Sequence, residues 1–337
     1  MSCQDTIQIN CQIGDIHSNT MGQITVFSAP KPFTDPHINL IQRNAIQSWV
    51  HSGEDVDVVL VGNEEGAMDV AAEYNVKFMP DVERSAWDTP LISSIFSLAK
   101  KASDCPLLVY VNADILFPPS FSKIVRGAAS KAEKFLGIGY RWNVEITNPI
   151  DFSGSWTEQF FEKLTDHGYR NRSVTIDYFV FPRSIYSDVP DFAVGRSGWD
   201  NWMIYHARKM NWPVIDLTPS LKVLHQAHDY SHLPDGKRHT SQEESQVNVE
   251  LGGGRKNMYT LMEATYQYKN GTLSRKTGSL SRLFRRLERI IAGPTQGGRR
   301  WWLSRRFRKL WVSIESKQIN KRKKVLAERN MKEIFKD

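Results

Sequence analysis

The sequence predicts an α/β fold, with a sheet that is parallel in its N-terminal half and mixed in its C-terminal half, followed by a helical, basic C-terminal extension. Three observations predict it. Apolar runs of strand length alternate with segments of helical spacing from Ile24 to about residue 120, the pattern of crossover units that cover both faces of a parallel sheet. Beyond that point the rhythm breaks, and strand-like FLGIGYRW and VTIDYFVFPR are separated by a long stretch with several aromatics and Gly. Charge divides the chain as well: residues 275–337 hold 20 Lys and Arg against 5 Asp and Glu, whereas the other 274 residues hold 24 against 32.

Residues 1–22 are polar and patternless, and are expected to form a flexible lead-in. ITVFSAP, Ile24 to Pro30, is the first strand, stopped by Pro; INLIQRNAIQSWV, Ile38 to Val50, has helical spacing through Leu40, Ile41, Ile46 and Val50. VDVVLVG is the second strand, EEGAMDVAAEYN a helix and VKFMPDV the third strand. TPLISSIFSLAKKA, Thr89 to Ala102, is expected to be a helix with Pro90 at its start, where a missing N–H does no harm. LLVYVNADI is the fourth strand. In VGRSGWDNWMIYHARKMNW a Gly-containing loop leads into a helix that opens at Trp199-Asp200-Asn201-Trp202. VIDLTP is a further strand, and LHQAHDYSHL after it suits either one helical face or a loop. Gly298 to Ile314, if helical, lines up Leu303, Phe307, Leu310, Trp311 and Ile314 between basic residues. The expected organisation is a lead-in to residue 22, a catalytic domain over 23–235 with halves at about 23–120 and 121–235, a linker and helix over 236–274, and a basic amphipathic tail over 275–337.

Composition excludes several classes. With 337 residues, 40% hydrophobic content and ten Trp, the chain can bury a sizeable core. No apolar run reaches membrane-spanning length, and the first residues lack the charged-then-apolar layout of a secretory signal, so a cytoplasmic location is expected, with the tail lying on an anionic membrane surface, packing on the domain or meeting nucleic acid. Three Cys without C-x-x-C spacing support neither a disulfide framework nor a thiolate metal site. Two glycosylation sequons, at Asn171 and Asn270, have no consequence without secretion.

The chemistry gathers at three places. Asn112 and Asp114 end an apolar strand, where an open parallel sheet presents side chains to a ligand crevice, and two oxygen-bearing groups two apart in an extended segment suit a hard divalent cation such as Mn2+ or Mg2+. A cap on the turn before Pro118-Pro119 would explain the same residues. Asp200, at a helix start behind Gly195 and Gly198, could serve as a general base or simply answer the helix dipole. His225, His228 and His232 fall within eight residues, with Asp229 among them, which is more than a core filler requires.

Taken in order, these motifs resemble the GT-A superfamily of glycosyltransferases, especially its family 2-like members that use nucleotide sugars, over roughly residues 23–235. The resemblance implies a nucleotide-binding N-terminal sheet and a D-x-D-like motif at Asn112-Ala113-Asp114. It also implies a base at Asp200 in inverting members and a late metal-binding His at His225 or His228. Under it, Ser28, Ala29 and Asp88 fall on the nucleotide side, and Asp177 and Trp199 on the acceptor side. The expected partners are a nucleotide-sugar donor and a carbohydrate or lipid-linked acceptor, with nucleic acid disfavoured by the acidic body. Two departures stand out: Asn112 replaces the first Asp of the motif, which makes Asp114 the expected direct ligand, and Trp199 rather than an acid precedes Asp200, which leaves inversion or retention open.

Two rival readings use the same residues. A metal-dependent phosphoesterase or nucleotidyltransferase would exploit the His-rich stretch, but needs further carboxylates near the metal, and beyond Asp229 only Asp235 is close in sequence. A nucleic-acid-binding protein would act through the interleaved Arg and aromatic residues of the tail.

Overall fold

The structure is a computed structural model and describes residues 22–154, 156–228, 243–292 and 298–334. β1 (Ile24–Ser28), β2 (Val56–Val61), β3 (Lys77–Met79) and β4 (Leu107–Val111) pair in parallel in the order β4-β1-β2-β3, joined by α1 (Pro36–Val50), α2 (Ala67–Glu73) and α3 (Ile92–Ala102). Asp35 caps α1 by accepting the Ile38 N–H at 2.8 Å, and Pro36 occupies the first turn, where no N–H is needed. α3 begins later than expected. Thr89, Pro90 and Leu91 stay extended because the Leu91 N–H bonds the Glu83 carbonyl and the Pro90 carbonyl accepts from Val194, so Pro90 belongs to a bridge and not to the helix.

β5 (Ile115–Leu116), α4 (Phe121–Ala129), β6 (Leu136–Ile138), β7 (Arg141–Val144), α5 (Trp156–Glu162), β8 (Tyr169–Arg170) and β9 (Tyr178–Pro182) follow. The chain then runs through α6 (Trp199–Lys209), β10 (Val214–Asp216), β11 (Val223–Gln226), α7 (Glu243–Leu251), β12 (Tyr266–Lys269) and β13 (Thr272–Arg275). Among the described residues the main sheet has the order β13-β12-β10-β6-β9-β4-β1-β2-β3, and β9 runs antiparallel to both β4 and β6, so the C-terminal half is mixed. β12 and β13 come from the stretch read as a linker, yet they extend this sheet: Ile215 pairs with Tyr266. A smaller sheet, β5-β11-β7-β8, stands beside it.

Each face of the main sheet carries its own core. Val26, Leu60 and Val109 point to a cluster with Trp49, Phe117 and Phe121, while Phe27, Val59 and Tyr110 point to one with Phe96, Phe181 and Trp202. This is the period-two division expected of strands covered on both sides. Last come α8 (Leu280–Ile291) and α9 (Gly298–Ile334), which pack on one another; no helix among the described residues is long and apolar enough to cross a membrane.

Candidate active site

The end of β4 does not continue as a strand. The Ile115 N–H bonds the Asn112 carbonyl at 3.1 Å, closing Asn112 to Ile115 into a turn, and the expectation that Asn112 and Asp114 share one side of an extended segment is corrected. The turn sends the two side chains to different partners. Asn112 prolongs the β4–β9 ladder, its N–H reaching the Asp177 carbonyl at 2.9 Å, while its Nδ2 donates to Asp177 Oδ1 at 2.9 Å. Arg141 Nη1 donates to the same oxygen at 2.7 Å.

Asp114 turns instead toward β11. The antiparallel register sets His225 opposite Ile115, and the Gln226 N–H bonds the Asp114 carbonyl at 3.1 Å. His225 and His228 therefore bring Nε2 to 3.3 Å and 3.2 Å from Asp114 Oδ2. The segment is strand and then loop, so no helical face aligns these rings. β11 is held by a buried amide pair: Gln226 Nε2 donates to the Ile41 carbonyl at 2.7 Å, and Asn44 Nδ2 donates to Gln226 Oε1 at 3.1 Å. His232 and Asp229 lie outside the described residues, as does Asp235.

One ligand atom from each of Asp114, His225 and His228 lies within 4.8 Å of the others. Two buried atoms of this group, Asp114 Oδ1 and His225 Nδ1, have no hydrogen-bond partner among the described residues, and buried polar atoms in a native fold are normally satisfied. One carboxylate and two imidazoles form a competent donor set for a divalent metal, and the orphaned carboxylate oxygen leaves it room to bind. Burial pushes the Asp114 carboxyl up, but His225, His228 and the charge of Arg141 outweigh it and hold the group well below the usual carboxylate range.

These residues border a cavity of about 770 Å3 at the carboxyl ends of the strands, where ligands settle on open parallel sheets. Ala29, just past β1, lines it, as do Asn112, Asp114, Asp177, His225 and His228. Other predicted residues lie elsewhere. Ser28 is fully buried in β1, its Oγ unpartnered among the described residues, and does not border the cavity. Asp88 projects into solvent with 87% of its side chain exposed, at φ +60, beside Arg84. Trp199 is packed edge-on to Tyr110 at 4.9 Å and tilted against Phe179 at 5.2 Å, so it is a core residue behind the cavity wall.

Asp200 sits in the first turn of α6, half-buried and not itself bordering the cavity, just behind a loop whose Val194, Gly195 and Arg196 line it. Gly198 precedes the helix at φ +119, a conformation that favours glycine, and its N–H bonds Asp200 Oδ1 at 3.3 Å. Burial pushes the Asp200 carboxyl up to about 6, against the pull of the Asn201 and Gly198 N–H groups and with help from the nearby charge of Asp177. The loop is anchored by α7: Glu244 accepts from Arg196 Nε at 2.5 Å and from Thr89 Oγ1 at 3.0 Å, and Asn248 bonds both the N–H and the carbonyl of Ala193 at 2.9 Å.

Sequence reasoning passed over Arg141, Lys31 and Arg196, all of which line the cavity. A cation opening a buried strand was the available signal for Arg141. Burial lowers the Lys31 ammonium, while Asp114 and Asp35 work against that shift.

No family model and no curated protein matches the chain. Among solved structures it is similar to a mannosyltransferase from Pyrobaculum calidifontis in complex with GDP-Man and Mn2+, at 12% identity and a TM-score of 0.40, over 63% of this chain and 59% of that one. It is similar also to glucosyl-3-phosphoglycerate synthase from Mycobacterium tuberculosis, at 13% identity and a TM-score of 0.43, over 69% of this chain and 79% of that one. A putative nucleotide-diphospho-sugar transferase from Desulfovibrio desulfuricans matches at 12% identity and a TM-score of 0.40, over 69% of this chain and 98% of that one.

Proposed function

We propose that this chain is a GT-A-like glycosyltransferase that moves a hexosyl group from a nucleoside-diphosphate sugar to a hydroxyl of a carbohydrate or lipid-linked acceptor, probing the donor at Asp114 and the acceptor at the Asp177 side of the same cavity. The observation that carries the reading is the meeting of Asp114, His225 and His228 at the end of β4, within a cavity that also takes in the end of β1 at Ala29. The stretch over 23–120 would then hold the nucleotide sugar and that over 121–235 the acceptor.

Breaking the anomeric bond leaves negative charge on the diphosphate. A divalent cation held by Asp114, His225 and His228 would neutralise that charge, and imidazole ligands favour Mn2+ over Mg2+. Lys31, in the same wall and under the influence of Asp114, supplies a second positive charge toward the phosphates. Asn112 and Arg141 hold the Asp177 carboxylate, whose Oδ2 remains unpartnered among the described residues and suits a hydroxyl of the incoming acceptor. Asp200, behind the cavity-lining loop of Val194 to Arg196, is the candidate base for the acceptor proton. A carboxyl lifted to about 6 is ionised at neutral pH yet more basic than an ordinary aspartate, and a positioned base contributes roughly 10²- to 10⁴-fold. An inverting outcome follows from a base acting opposite the leaving group.

Release of a free nucleoside diphosphate from a nucleotide sugar tests this reading. It should need the cation, fall to background with a chelator, and recover better with Mn2+ than with Mg2+. Release of pyrophosphate or inorganic phosphate instead would favour the phosphoesterase or nucleotidyltransferase alternative, although among the described residues only one carboxylate joins the histidine pair.

A further inference from the structure

α8 is an amphipathic helix packed the wrong way round. Leu280, Leu283, Leu287 and Ile290 recur at i, i+3, i+7 and i+10 and so form one face. That face looks outward: Leu280 is 59% exposed, Leu283 50% and Ile290 61%. The opposite row, Arg282, Arg285 and Arg289, is turned into the protein. Arg282 donates to the carbonyls of Met262, Ala264, Lys276 and Thr277; Arg285, only 9% exposed, pairs with Glu263 at 3.0 Å and Glu288 at 2.9 Å; Arg289 lies 3.6 Å over the Tyr259 ring. An ordinary surface helix would reverse this arrangement.

α9 divides in a related way. The stripe expected to run through Leu303, Phe307, Leu310, Trp311 and Ile314 splits, because Trp311 is buried with Ser304 and Glu315, its Nε1 donating to Glu288 at 2.7 Å. Leu303 and Leu310 are left outside, at 40% and 45% exposure. Phe284 of α8 meets Phe307 of α9 at 6.1 Å, so the outward apolar rows of the two helices join there. Exposed Arg286, Arg306 and Lys309 flank the joined surface, and Trp302, 53% exposed, lies under Arg306 at 3.9 Å.

We propose that this outward face of the α8–α9 hairpin docks on an anionic lipid bilayer, lying in the plane of the headgroups. An apolar strip that enters the acyl boundary, a flank of Arg and Lys for lipid phosphates, and an exposed Trp at the edge are the chemistry an interfacial helix needs. The charge of the rim selects this occupant. A second copy would bring the same cations to the contact, and the acids of α8 and α9 whose side chains are described, Glu288 and Glu315, are already engaged within the protein. A nucleic acid would have no use for the leucines and isoleucine at the centre. The inference is independent of the cavity chemistry, because none of its residues borders the cavity.

The test is sedimentation of the full chain with vesicles of phosphatidylcholine alone and of phosphatidylcholine containing about 30% phosphatidylglycerol, at low and high salt, for the unaltered chain and for Leu283→Glu/Ile290→Glu. The expected result is binding to anionic vesicles only, weakened about tenfold or more by high salt and by the double substitution, with nucleotide-sugar binding and thermal unfolding unchanged. Absence of binding by the folded chain to anionic vesicles at low salt overturns the proposal. So does equal binding by the double variant. A dimer in light scattering that the double variant dissociates would assign the face to a second copy, and tighter binding to a single-stranded oligonucleotide than to vesicles would assign it to nucleic acid; either result sinks the lipid reading.

Discussion

Asp200 combines a helix-start position with a carboxyl pushed up to about 6 by burial, and both its chemistry and its energetic cost follow from that. The base form accumulates above about pH 6, so the rate of transfer should rise through that value and level off. The folded state holds the proton more tightly than an unfolded chain does, with its ordinary value of 3.8. Stability from this group is therefore present at low pH and lost as pH rises through about 6. Asp200→Asn should cut kcat by roughly 10²- to 10⁴-fold while raising stability at pH 8 by on the order of 1–3 kcal/mol, with little gain near pH 4. Unfolding curves at the two pH values check the second half. Loss of activity with equal loss of stability at both would reduce Asp200 to a helix-start residue.

That Asp114, His225 and His228 belong to one region was legible because types and order sufficed: an acid at the end of an apolar strand, and histidines after a later one. Their geometry was not. That Asn112 parts from Asp114 depends on one turn hydrogen bond, and that Asp177 joins Asn112 depends on β9 running antiparallel to β4. Strand direction is a long-range property that local pattern does not carry. Trp199 and Asp88 were drawn to the site by their neighbours in sequence, whereas packing sends one to the core and the other to solvent.

At the scale of elements, α7 acts as a clamp on the loop that leads to α6. Asn248, 1% exposed, satisfies both backbone groups of Ala193. Asn248→Ala removes both bonds and leaves buried partners unsatisfied, which should cost about 2–4 kcal/mol. Hydrogen exchange at Ala193 should quicken together with the fall in melting temperature; an unchanged exchange rate there would show that the loop holds itself. Helices and strands of the first half could be read from their periods, since each buries a face of its own. β12 and β13 could not, because the burial pattern of these short strands is set by the sheet edge they complete.

At the scale of the molecule, the basic extension is part of the folded body and not a free tail. Glu315 of α9, 3% exposed, accepts from Ser173 Oγ at 3.0 Å and from the Tyr140 hydroxyl at 3.2 Å, and Leu326 borders a second cavity of about 360 Å3 that shares Asn143, Tyr169 and Ala227 with the main one. Removing residues 275–337 should therefore destabilise the whole chain. Glu315→Ala alone should cost about 2–3 kcal/mol by denaturant unfolding, with the main cavity's surroundings and the extension still melting in one transition. Two separated transitions would mean that the extension folds independently. The sequence announced the charge of this region but not its packing, since the inward turn of three arginines reverses the usual rule that apolar faces seek the core.

The measurement that bears most directly on the central claim is calorimetric titration of the intact chain with a panel of nucleotide sugars, with and without Mn2+, set beside Asp114→Ala. The expected result is binding of at least one nucleoside-diphosphate sugar that requires the cation and is lost in the variant while its fold is kept. Binding that is indifferent to both the cation and Asp114, or no binding of any donor by the folded chain, would contradict it.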